Sequence, residues 1–194
     1  SRTARRGAPV TRVLTVLVVA AAAAPAAAWS KGGHMVTAAV AYAALDADSP
    51  ATLAKTLALL RAHPDYERRW KRRLDDVPAA DRDVALFMLA ARWADDVRGQ
   101  AAYDHPKWHY VNFPFRPDGA GGPAELPPPD PDENIVLALA LNRKHLAERK
   151  DEAERAVAVA WLFHLVGDLH QPLHTTAIFS DTFPTGDRGG TRFY

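Results

Sequence analysis

The sequence predicts an all-α fold, a single mostly helical domain. Three observations carry that expectation. Apolar residues recur at helical spacing through most of residues 34–169. Helix-start residues, Ser49-Pro50 and Asp130-Pro131-Asp132-Glu133, stand at the heads of two such runs. No alternating run is long enough to build a sheet, and there is no internal repeat.

Residues 1–28 are set apart first. Arg2, Arg5, Arg6 and Arg12 precede an apolar run from Val13 to Ala24, and Ala26-Ala27-Ala28 offers small residues before Trp29. A charged start, a short apolar middle and a small-residue exit are the marks of a secretory signal; a buried N-terminal helix is the other reading. The expected product is therefore secreted or periplasmic, with no stable membrane association, and is expected to be a monomer.

Within residues 29–194, Gly32-Gly33 precede an Ala-rich helix from His34 to about Leu45, with Val36, Val40 and Ala44 as its apolar face. Ser49 caps a helix through Leu60, with Pro50 in its first turn. Arg68 to Asp76 reads as a solvated helix with Trp70 and Leu74 on one buried stripe. Its run Arg68-Arg69-Trp70-Lys71-Arg72-Arg73 suits either a solvated face or contact with a polyanion. Val84, Leu86, Phe87, Met88 and Leu89 mark a more fully buried helix from Asp83 to Trp93.

Prolines and glycines from Gly99 to Pro131 forbid regular helix, so this stretch is expected to be a long surface excursion carrying a few site residues inward. The helix restarts at Asp130-Pro131-Asp132-Glu133, with Ile135, Leu139 and Leu146 on its apolar side. The last strong helix runs roughly from Glu152 to Leu169, with Val157, Trp161, His164 and Asp168 along one side.

Charge and cysteine content narrow the chemistry. Removing the leader lowers the 24 basic residues to 20 against 23 acidic ones, about −3, which disfavours a protein that grips duplex phosphates through a broad basic surface. There is no cysteine, so stability must come from packing or from bound metal.

The most informative stretch is His164-Leu-Val-Gly-Asp168-Leu-His-Gln-Pro-Leu-His174. A spacing of four puts His164 and Asp168 one turn apart on one helix face, and Pro172 frees His174 from the helical track. Imidazole nitrogen and carboxylate oxygen suit zinc in an exported protein without cysteine. Asp95 and His109 are the best additional ligands, although one could be a surface acid and the other a satisfied core histidine. Cleavage before Trp29 would expose an amine able to coordinate metal together with the Trp29 carbonyl, with His34 near in sequence; an aromatic anchor is the plainer reading of Trp29. Arg98 could neutralise charge on phosphoryl oxygens or form a surface ion pair. Asn112 could orient substrate or satisfy its loop. His63, His105 and His145 have no comparable context, and His170 is expected to pack or support.

Four ordered motifs carry a resemblance: Trp29-Ser-Lys-Gly-Gly-His34, Trp93-Ala-Asp95-Asp-Val-Arg98, Trp108-His109-Tyr110-Val-Asn112 and the stretch from His164 to His174. With them the chain resembles the zinc-dependent, single-strand-specific nucleases of the fungal and plant type, relatives of zinc phospholipase C. The resemblance implies three zinc ions. One would use Asp95, His109, His164 and Asp168; another the Trp29 amine and carbonyl, His34 and a bridging Asp168; the third His174 with a later histidine and aspartate. That later pair is not found before Tyr194, so residues 29–194 are expected to be the N-terminal and central part of a longer domain.

The implied activity is endonucleolytic hydrolysis of single-stranded DNA and RNA to 5'-phosphorylated products, with 3'-nucleotides as further substrates. Asp95, Arg98, Asp168 and Asn112 are the candidate catalytic groups. The short interval from Trp29 to His34 favours this branch over a phospholipase C-like phosphodiesterase. A noncatalytic metal-binding or interaction domain is the remaining alternative.

Overall fold

In the computed structural model, which describes residues 31–190 and Arg192, the chain is all-α as expected. The helices are α1 (Lys31–Asp48), α2 (Pro50–Arg61), α3 (Lys71–Asp75), α4 (Arg82–Asp96), α5 (Ile135–Glu148) and α6 (Glu152–Leu169). Residues 1–28, expected to be a secretory leader, and Trp29 lie outside the described residues. Among those described, no helix is long and apolar enough to cross a membrane.

The core is built on α4 and α6, which pack on each other, with α1 against α4 and α5 against α6. Leu86, Phe87, Ala90 and Trp93 of α4 and Ala160, Trp161 and Leu165 of α6 are almost wholly buried. The Trp93 and Trp161 rings meet edge to face with centroids 6.1 Å apart, a favoured aromatic geometry. Trp161 also meets Trp108 and His109, at 4.9 Å and 5.6 Å. The loop that follows α4 is thereby anchored to α6 by apolar contact.

Several local expectations are corrected. Helix α1 includes Gly32 and Gly33, and its buried residues are His34 and Ala38, whereas Val36 and Val40 are exposed at 61% and 66%. The inward direction is set by the His34 ring, which stacks on His164 with centroids 3.8 Å apart. Arg68 to Asp76 opens with a π-helical turn, Tyr66–Trp70, before α3, although Trp70 and Leu74 are buried as expected. Helix α5 starts after Asn134, whose side chain accepts from the Val136 and Leu137 amides. Asp130 instead organises the preceding turn by accepting the Asp132 and Glu133 amides.

A two-stranded parallel pair also forms, where no strand was expected. Strand β1 (Phe113–Phe115) lies beside β2 (Thr176–Ile178), with Phe113 opposite Thr176. Three-residue strands are too short to display an alternation. The pairing is fixed from outside, by the chain entering from His109 and from His174, and it is flanked by the Val111 amide donating to the His174 carbonyl at 2.7 Å.

His63 has a structural role that its sequence context did not suggest. It is 3% exposed, stacks on Trp70, and accepts the Asp65 amide at Nδ1. Asp65 in turn accepts the Trp93 indole N–H at 2.8 Å and pairs with Arg68 at 2.7 Å. Burial pushes the His63 imidazole down to about 4 from its ordinary 6.5, against an opposing pull from Asp65.

The unfolded chain therefore binds more protons between those two values, so stability rises with pH across that window and is lost on acidification, by about 3 kcal/mol in full. His63→Asn keeps an acceptor for the Asp65 amide and removes the titration. The expected outcome in denaturant unfolding is that the loss of stability between pH 7 and about pH 4.5 shrinks by about 2 kcal/mol relative to the parent protein. An unaltered loss would mean that His63 is charged in the folded state. At the head of α5, Asn134→Ala removes the acceptor for two amides and is expected to lower unfolding free energy by about 1 kcal/mol.

Candidate metal centre

Asp168, near the C-terminal end of α6, is 1% exposed, and each of its oxygens faces a pair of imidazoles. Oδ1 lies 3.2 Å from His34 Nε2 and 3.6 Å from His174 Nε2. Oδ2 lies 3.2 Å from His109 Nδ1 and 3.1 Å from His164 Nε2. The four rings come from α1, the loop after α4, α6 itself and the turn after α6, so the site ties distant segments to one carboxylate.

Local chemistry explains each placement. His164 is one helical turn before Asp168 on the buried face of α6. Its Nδ1 lies 2.9 Å from the Ala91 carbonyl, which can only accept, so Nδ1 carries the hydrogen and Nε2 presents a lone pair to the site. His109 ends a short 3-10 turn begun by Pro106, and its Nδ1 approaches His164 Nε2 to 2.9 Å. His174 ends the 3-10 turn begun by Pro172, where Gln171 caps the Leu173 amide. His34 lies directly over Gly167: a Cβ built there would come within 2.9 Å of His34 Nδ1, so the missing side chain makes room for the ring.

Burial alone pushes the Asp168 carboxyl up, but hydrogen bonding from the surrounding imidazoles, His109 first, holds it far below the usual carboxylate range. Burial lowers His109, against the opposing hydrogen bond to Asp168, and burial likewise lowers His174. Two effects thus point the same way: the carboxylate is kept charged and the His109 and His174 rings are pushed toward their neutral form, the protonation state that metal ligands need.

The donor set fits a divalent metal. His109, His164 and Asp168 offer ligand atoms that all lie within 4.8 Å of one another, and so do His34, Asp95 and His164. His109 Nε2 and His174 Nε2 are buried without a hydrogen-bond partner among the described residues. Asp95, at the end of α4, has Oδ2 3.9 Å from His34 Nε2 and Oδ1 2.7 Å from Arg98, whose side chain is 60% exposed. Asn112 is half-buried and lines a recess of about 230 Å³ with Lys107, Tyr110 and Asn134. His170 is exposed, its Nδ1 bonded to the Val166 carbonyl at 2.7 Å. His105 stacks on Trp108 at 3.9 Å, and His145 is half-buried on α5.

Gly167 and the Ala91 carbonyl are the contributors that motif reading missed. Gly167 lay inside the motif, but its meaning depends on α1 crossing α6. The Ala91 carbonyl carries no side-chain signal at all.

A helical domain whose packing converges three histidines and two aspartates into groups that could hold metal has the character of a metal-dependent α-protein. The particular family follows from comparison: the chain matches the S1/P1 Nuclease family over residues 29–194 and belongs to it. It is therefore a nuclease by family, a hydrolase with nucleic acid as substrate. No curated protein and no solved structure matches the chain.

Because of the contact between Gly167 and His34, Gly167→Ala is expected to displace the ring, lowering zinc affinity by roughly tenfold or more while helicity is kept or raised. Competition titration with a zinc chelator, alongside circular dichroism, checks both halves; unchanged affinity would mean that His34 contributes nothing to metal binding.

Proposed function

We propose that this protein is a zinc-dependent endonuclease of single-stranded DNA and RNA that leaves 5'-phosphorylated products and also releases phosphate from 3'-nucleotides. The observation that carries the zinc dependence is the two-sided Asp168 carboxylate, with a pair of imidazoles on each oxygen. A carboxylate flanked in this way suits a bridge between two ions better than it suits a single salt bridge.

In this reading Asp95, His109, His164 and Asp168 hold one zinc. His34 and Asp168 hold another, together with the amine and carbonyl of Trp29. His174 serves a third. The family match begins at residue 29, which supports removal of residues 1–28 as a secretory leader and a secreted or periplasmic location. Zinc, when bound, lowers the pKa of water toward neutrality and offsets charge growing on phosphoryl oxygens.

The chain's own residues supply the remaining requirements. The Ala91 carbonyl keeps His164 Nε2 free for coordination. Buried Trp161, against the His109 and His164 rings, shields them from bulk water, which strengthens the electrostatic contacts they make. Arg98, exposed and held beside the centre by Asp95, is positioned to meet a phosphoryl oxygen. Asn112 orients substrate from the adjoining loop. Single strands are favoured over duplex because a recessed cluster admits an unstacked nucleotide more readily than a paired one.

Two outcomes are expected. Zinc-loaded protein hydrolyses single-stranded DNA well ahead of duplex DNA and leaves phosphatidylcholine intact, and a chelator abolishes the activity; lipid turnover without nuclease activity would overturn the proposal. Asp168→Asn keeps the shape of the side chain while halving its ability to bridge, and is expected to lower kcat by more than about 100-fold with loss of bound zinc, read by metal analysis and steady-state hydrolysis.

A further inference from the structure

We propose that the arginines of the π-helical turn and α3 form a second nucleic-acid contact, a phosphate-binding recess that holds single-stranded substrate beyond the metal centre. The proposal rests on the nuclease reading above. Arg68, Arg69, Arg72 and Arg73 line one recess of about 390 Å³ with Trp70, Trp93 and Asp96. Their spacing brings them to a single face, since residues three to five apart in a helix or π-turn stack above one another. Lys71, Leu74 and Asp75 line a different recess with Tyr66, so the segment divides its charges between two sides.

The charge of this recess is not cancelled within the fold. Arg68 pairs with buried Asp65 at 2.7 Å, and Arg69 lies 3.7 Å from the same carboxylate. Asp96 is already held by Lys31 at 2.7 Å and by two nitrogens of Arg92 at 2.9 Å. Arg72 and Arg73 are exposed and have no carboxylate partner among the described residues. Guanidinium forks with nothing to pair suit phosphate oxygens, and a concave cluster of one sign focuses its field on a polyanion.

Position links the recess to the reaction. Asp96, in its wall, follows Asp95, which belongs to the metal-type group. Arg69 donates to the Asp96 carbonyl at 3.5 Å, and Arg98 pairs with Asp95 at 2.7 Å. The C-terminal end of α4 therefore separates the arginine recess from the candidate metal centre, and a flexible strand with phosphates on Arg72 and Arg73 can continue past Arg98.

The test is fluorescence anisotropy of zinc-loaded protein with a hydrolysis-resistant phosphorothioate single strand of about 12 nucleotides, within the usual range of single-strand site sizes. Arg72→Gln with Arg73→Gln is expected to weaken binding by tenfold or more and to reduce the slope of log affinity against log salt by about 1.4, the value for two phosphate contacts on a single strand. Arg143→Gln with Lys144→Gln removes the same charge from exposed positions of α5 and is expected to change affinity less than twofold. Equal losses in the two pairs, or none in the first, would overturn the recess. Hydrolysis of an unmodified single strand is read separately: retained nuclease activity with unaltered binding would reject the recess alone, and weakened binding in a protein that hydrolyses no nucleic acid would reject the catalytic reading alone.

Discussion

A single buried negative charge organises this protein. Asp168 lies out of water, where an isolated carboxylate is costly, and is tolerated because imidazoles from four separate segments crowd it. Those contacts oblige α1 to cross α6 closely enough for the His34 ring to lie on Gly167, and they oblige the loops after α4 and α6 to turn inward. The fold can be described as the set of packings that lets four rings reach one side chain.

Apolar packing carries the supporting half. Trp161 is buried between Trp93, Trp108 and His109, so it is at once the centre of the core and the floor beneath one imidazole. A ligand on a proline-interrupted loop would wander if tethered only by its backbone. Aromatic contact with α6 gives His109 a rigid support, and the 3-10 turn from Pro106 sets its direction. Burial of this kind also pushes the ring toward its neutral form, so packing and protonation state have a common origin.

How much was legible in the sequence depended on the range of the interaction concerned. His164 and Asp168 share a helix, so their spacing alone put them on one face, and the break at Pro172 announced that His174 left that track. Helices α4 and α6 were readable for the same reason, from local residue patterns, and α2 from the Ser49-Pro50 start. The face of α1 was misread because Val36 and Val40 look more apolar than His34 and Ala38; the inward direction was decided by a histidine seeking a carboxylate on another helix. The strand pair was invisible because each half is three residues long and meaningless without its distant partner. Asn134 was passed over in favour of Asp130, since both are good caps and only the path of the loop decides which one meets free amides.

The same strand pair has a consequence for how the rings are held. It joins the chain just beyond His109 to the chain just beyond His174, and the Val111 amide is bonded to the His174 carbonyl itself. The two loop-borne imidazoles are thus strapped into one body, while His34 and His164 ride on helices. A substitution that disturbs either loop is therefore felt at both of these imidazoles, whereas the two helix-borne rings depend on helix packing alone.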